Sequence, residues 1–138
     1  MKKLIITGCE GRGDAHLPYL TRWILFKTRM LAIYFHKFHR SDADDLHNHP
    51  WNFISIILWR GYHEQTFAKA GEGKMYNIKR VLPGTIIFLK ASHAHRVMLI
   101  DGKPAYTLVI RFKDNFRWGF FTKGRYIFFL DYFDKFGC

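Results

Sequence analysis

The chain has 138 residues, with 22 Lys+Arg against 11 Asp+Glu, for a formal charge of +11 and a pI near 9.9. Hydrophobic residues make up 49% and aromatic residues 18%. That apolar surface excludes a disordered polyelectrolyte, and the length suits one domain whose core needs no disulfide staples.

From the N-terminus, Lys2–Thr7 reads as a strand, but Leu4-Ile5-Ile6 is too short for a signal-peptide core. Gly8, Gly11 and Gly13 depart from the dinucleotide spacing, and Pro18 falls where the following helix would run. No nucleotide loop is expected there. Cys9 and Cys138 make no disulfide framework, and two reduced thiols in a cytoplasmic protein are the expectation. No apolar run approaches the ~20 residues of a membrane span, so no membrane association is expected.

Period-2 patterning with β-branched and aromatic residues continues through the chain. It places strands at Thr21–Phe26, Met30–Phe38, Trp51–Tyr62, Gln65–Phe67, Met75–Val81, Thr85–Leu89, His95–Ile100, Tyr106–Phe112, Trp118–Thr122 and Arg125–Leu130. Turn residues separate them, and Asp101-Gly102 between two apolar runs reads as a hairpin. No window of helical length carries a clean 3.6-residue period. Residues 1–138 therefore read as a single all-β domain, a sandwich or barrel.

Eight histidines are present, and four fall in two pairs: His47-Asn48-His49 and His93-Ala94-His95. Residues i and i+2 of an extended chain share a face, about 7 Å apart. Two imidazoles so placed can close on one ion, and the second pair offers a third ligand. Imidazole suits Fe, Zn, Ni, Cu and Mn rather than Ca or Mg, so a divalent transition metal is the expected cofactor. His16, His36, His39 and His63 read as ordinary residues. Asp42, Asp44 and Asp45 read as a solvated turn or as partners of a ligand histidine.

His47-x-His49-Pro50 followed by Gly61 resembles the first cupin motif (about 41–61). Gly84 followed by His95-Arg96-Val97 resembles the second (about 84–99). Tyr19-Leu20-x-Arg22-Trp23, Ser41-Asp42, Tyr106-Thr107-Leu108 and Trp118-Gly119-Phe120 extend the likeness to short cupin-like proteins of bacteria and phages. The resemblance implies a cupin-type antiparallel jelly-roll β-barrel (RmlC-like) with a metal held by His47, His49 and His95. The chain departs from it where Ile54 replaces the motif glutamate. Lys90 and Ser92 replace a Pro and a Gly, and Leu99 an Asn. His93 and Glu64 are the alternatives for a fourth ligand. The three-histidine set resembles that of cupin thiol dioxygenases, which favours Fe(II), with Zn, Ni and Mn open.

If position 54 faces inward, Ile54, Ile56 and Leu58 line an apolar pocket with Arg60 and Tyr62 at its mouth, the candidate catalytic residues. Arg60 beside a metal implies an anion between them; the alternative is a solvated strand end. Phe53, Ile57 and Trp59 then point outward and need cover, for which a homodimer is one source. The expected function is a metal-dependent enzyme, dioxygenase-like, acting on a small anionic molecule. The rival is a non-catalytic cupin binding a sugar, nucleotide or nucleic acid through the barrel mouth and basic surface. Arg111-Phe112-Lys113, Phe116-Arg117-Trp118 and Gly124-Arg125-Tyr126 give that rival its basic and aromatic residues.

Overall fold

A computed structural model describes residues 1–138, and two antiparallel six-stranded sheets make up most of it. The strands are β1 (Lys2–Thr7), β2 (Pro18–Lys27), β3 (Leu31–Phe38), β4 (Leu46–His47), β5 (Trp51–Trp59) and β6 (Tyr62–Phe67). They continue as β7 (Tyr76–Val81), β8 (Ile86–Leu89), β9 (His95–Leu99), β10 (Ala105–Asp114), β11 (Gly119–Thr122) and β12 (Arg125–Phe128). One sheet runs β1-β2-β3-β10-β5-β8, the other β12-β11-β4-β9-β6-β7. The all-β jelly-roll expectation holds. Each expected strand has a counterpart, and the two-residue β4 is the element that propensity could not show.

Alternation sets the core. On β5 the buried residues are Phe53, Ser55 and Ile57; on β9 they are His95, Val97 and Leu99; on β10 they are Ala105, Thr107, Val109 and Arg111. Ile57 and Ala105 from one sheet pack with Tyr62, Val81, Val97 and Leu99 from the other, so the core lies between the sheets. A second cluster, Ala32, Tyr34, Phe53, Leu89 and Val109, fills the end nearer the start of β5.

Two of the connections that carry the chain between sheets are tight turns. Arg60 and Gly61 both have positive φ (67° and 70°), and a Cβ on Gly61 would sit 2.2 Å from the Val81 carbonyl oxygen. Only glycine fits there. Asp101-Gly102 is not a hairpin: it lies in a short 3-10 turn joining β9 in one sheet to β10 in the other. The tight hairpin is Lys123-Gly124, both at positive φ, between β11 and β12.

Two expectations fail at the termini. Residues Phe129–Phe136 form a helix, α1. Phe129, Tyr132, Phe133 and Phe136 fall at helical spacing, against the strand expected over Arg125–Leu130, and tertiary packing stabilises the helix: Tyr132 is buried and stacks on Phe120 at 3.7 Å. Cys9 and Cys138 are joined in a disulfide rather than standing as free thiols. They lie 129 residues apart, so sequence spacing carried no sign of their meeting, and the reduced-thiol argument for a cytoplasmic location falls with them. The glycine-rich segment forms a 3-10 turn at Glu10–Arg12, closed by Cys9 N–H donating to Asp14 and by an Arg40–Asp14 ion pair at 2.8 Å. No helix is long and apolar enough to cross a membrane.

Candidate metal centre

His47 ends β4, where it is paired with His95 of β9 on one side and with Phe120 of β11 on the other. Asn48, buried between the two histidines, accepts from Gly119 N–H at 2.7 Å and donates its own N–H to the Gly119 carbonyl. His49 N–H donates to the Ala91 carbonyl, and Asn52 accepts from Ala91 N–H at 2.7 Å. These bonds fix the short segment so that both imidazoles face inward. Asn48 and Asn52 are site-building residues that the sequence reading missed; buried asparagines pinning backbone leave no spacing signature.

The rings of His47, His49 and His95 converge, with centroids 5.0 to 5.1 Å apart. One nitrogen from each lies within 4.8 Å of the other two. His49 Nδ1 is buried with no hydrogen-bond partner. Burial, with the neighbouring histidine adding to it, lowers His47 to about 4 although Asp42 opposes the shift, and it holds His49 well below the usual range. Both rings are neutral at pH 7, with lone pairs to offer. Three converging imidazoles, two of them held neutral by burial and one with an orphaned nitrogen, fit a transition metal.

Glu64 and His93 form a second group with His95, also within 4.8 Å. Glu64, inward on β6, has Oε2 3.0 Å from His95 Nδ1 and Oε1 3.4 Å from His93 Nε2. Burial raises the Glu64 carboxyl, but its contacts with His93 and His95 outweigh this and bring it down to about 2. An ionised carboxylate has no proton to give, so His95 Nδ1–H donates and Nε2 keeps its lone pair toward His47 and His49. His93 Nε2 lacks a well-formed hydrogen bond. Asp42, the acid nearest His47, stands 3.8 Å from its Nδ1 and is engaged by Val97 N–H and the Tyr19 hydroxyl.

The inward residues after His49 are Phe53, Ser55 and Ile57, not Ile54, Ile56 and Leu58. The Phe53 ring lies 4.8 Å from His49, so an apolar ring occupies the inward place beside the histidines. Leu58 is 44% exposed, and no Ile54–Leu58 pocket wall exists. Arg60 is an exposed turn residue at the opposite end of β5 from His49. Tyr62 faces inward but sits in the apolar core, 3% exposed, with burial pushing its hydroxyl above the usual range. Neither is brought to the histidines. Phe53 and Ile57, expected outside, are core.

No protein-family model matches the chain, and no curated protein matches it. Solved structures do. A cupin-2 domain protein from Rhodospirillum rubrum superposes with a TM-score of 0.61 at 12% identity, covering 88% of this chain and 76% of its own. The fold is a cupin fold.

An RmlC-like cupin from Shewanella frigidimarina aligns with a TM-score of 0.53 at 15% identity, over 70% of this chain and 78% of that one. The DMSP lyase DddQ from Ruegeria pomeroyi aligns with a TM-score of 0.53 at 22% identity, over 70% of this chain. This chain spans about half (48%) of the lyase's length.

Proposed function

We propose that this cupin is a metal-dependent enzyme acting on a small anionic substrate, with a divalent transition metal on His47, His49 and His95. The convergence of these three rings carries the reading. Such a metal supplies Lewis-acid polarisation and open coordination positions for substrate and co-substrate. Fe(II) and oxygen-dependent oxidation are preferred, because the three-histidine set leaves the ion's charge uncompensated and open to an anion. Glu64 acts through His95, holding the tautomer that faces the metal, and Phe53 keeps water from the His49 side.

The C-terminal third gives the nucleic-acid rival little support. Several of its aromatics are packed internally: Trp118 stacks on Phe129, Phe120 on Tyr132, and Arg117 lies 3.8 Å over Phe128, while Phe112, Phe116 and Tyr126 stay exposed. Rings committed to sheet–helix packing are not a base-stacking platform. Arg111 is buried, donating to the Tyr34 hydroxyl at 3.3 Å.

A homodimer belongs to the same reading. The outer face of the first sheet carries two apolar rows, Trp23–Phe35–Leu108–Ile56–Ile86 and Phe26–Ile33–Ile110–Ile54–Phe88. A self-complementary apolar face suits a two-fold contact. Light scattering is expected to give a dimer that Ile86→Lys with Phe88→Lys converts to a monomer.

Elemental analysis of protein purified without chelator tests the centre. About one metal per chain is expected, lost in His47→Ala and in His95→Ala. Failure of both the native and the iron-reconstituted protein to retain metal ends the enzyme reading.

A further inference from the structure

Arg22 is a cation inside the barrel that the metal centre leaves unexplained. It stands on β2 opposite His36 of β3, which in turn pairs with the buried Thr107 of β10. Its Nε donates to His36 Nε2 at 2.9 Å, and its guanidinium carbon lies 4.5 Å from the centre of the Tyr34 ring. An arginine can only donate, so His36 is the neutral acceptor. His36 is thereby a partner of Arg22 and not of the metal.

The rest of the guanidinium has no partner. Arg22 enters none of the chain's seven ion pairs, and its two terminal nitrogens make no hydrogen bond to the protein. Neither nitrogen is sealed off, since neither is among the fully buried unpaired atoms. Arg111, the other inward arginine, differs: it donates to the Tyr34 hydroxyl, the Phe112 and Thr28 carbonyls and Asp114. The guanidinium of Arg22 lies over the Tyr34 ring. Tyr34, beneath it, packs in one cluster with Phe53, and Phe53 touches His49.

A half-buried cation without a counter-ion costs free energy that a bound anion recovers. One guanidinium offers one charge and a planar pair of donors, the match for a carboxylate. Tyr34 and Phe53 suit an organic body beside it. We propose that Arg22 is the substrate-recognition residue of this cupin, its free fork gripping the carboxylate of a small organic acid whose other end reaches the His47–His49–His95 centre. The inference rests on the metal-centre reading and gives that site its substrate class. It also moves the anion-binding role from Arg60 to a residue 38 positions earlier in the chain.

The test uses the full chain loaded with Co(II), titrated with acetate, lactate and succinate at fixed ionic strength. The visible Co(II) spectrum and the melting temperature are both read. Saturable binding is expected in the native protein. Arg22→Gln is expected to weaken it about tenfold or more at unchanged Co(II) stoichiometry, and Arg22→Lys, which keeps the charge but not the fork, by less. Arg60→Gln is expected to leave it unchanged. Three results overturn the proposal: equal affinity in a folded Arg22→Gln or Arg22→Lys protein, loss with Arg60→Gln instead, or no binding of any of the three acids. Failure of the metal reading shows separately, as absent Co(II) uptake before any acid is added. In that case the melting temperature of the metal-free protein decides, an acid-induced rise lost in Arg22→Gln supporting the subsite and its absence refuting it.

Discussion

The Cys9–Cys138 bond closes a loop of nearly the whole chain, and its removal has a magnitude that can be worked out. A cross-link of this span (separation 129) removes chain entropy from the unfolded state equivalent to about 5 kcal/mol at 25 °C, with ~2–4 kcal/mol the usual measured range. A protein of this length has an unfolding entropy near 0.3 kcal/mol/K, so a loss of about 3 kcal/mol lowers the melting temperature by roughly 10 °C. The perturbation is the double variant Cys9→Ser/Cys138→Ser, which leaves no lone thiol. The assay is thermal and urea unfolding beside the oxidised native chain. The bond also anchors α1, whose Tyr132 stacks on Phe120, and Phe120 lies 5.8 Å from His47. Loss of metal to a chelator is therefore expected to be faster in the double variant. A fall of less than about 3 °C would refute the entropy reasoning. It would mean that non-covalent contacts hold the termini together, among them Glu10 N–H donating to the Gly137 carbonyl and Gly11 lying against the Phe136 backbone.

Glu64→Gln keeps the shape but loses the carboxylate that orients His95, and a roughly 10- to 100-fold loss of metal affinity by competition titration is expected; unchanged affinity rules out the orienting role. The metal-free protein is expected to lose stability in mild acid. His47 takes its proton near pH 6.5 when unfolded and near 4 when folded, so the unfolded chain binds more protons between those values. The His47 contribution, ~3 kcal/mol, is complete above about pH 6.5 and lost as the pH falls toward 4. Urea midpoints across that range check it, and a His47→Gln curve as steep as the native one contradicts it. Ile54→Glu is expected to leave metal affinity within about twofold, whereas Phe53→Glu puts a carboxylate beside His49 and slows metal release; the reverse order would restore the Ile54-inward parity.

Much of the site was legible because metal ligation constrains spacing. His47 and His49 lie two apart on an extended segment, and His95 opens a strand that topology sets directly opposite His47. Glu64 was legible as a candidate, and its carboxylate lies 3.0 Å from His95 Nδ1. The strands were legible from period-2 patterning. What failed was long-range: the disulfide, the helix stabilised by Phe120, and the two asparagines that tie down the histidine segment all depend on residues distant in sequence meeting in space.

The parity error on β5 is different, because the chain held the information to avoid it. Counting along a family motif put the glutamate position at Ile54 and turned the even-numbered residues inward. Alternation carried forward from His49 gives Trp51, Phe53, Ser55 and Ile57, which is the inward set in the structure. A one-residue slip exchanges every side chain between core and solvent, and the slip aimed Arg60 at a pocket beside the histidines, whereas it lies in an exposed turn at the other end of β5. With the parity restored, the interior beside the histidines has Phe53 where an acid was expected, and Arg22 is its unpaired cation. The excess of basic residues is mostly surface charge, but Arg22, one of the 22 Lys+Arg, stands half-buried and without an acid partner. Overall charge bears on solubility and long-range attraction; that one guanidinium bears on which molecule enters the barrel.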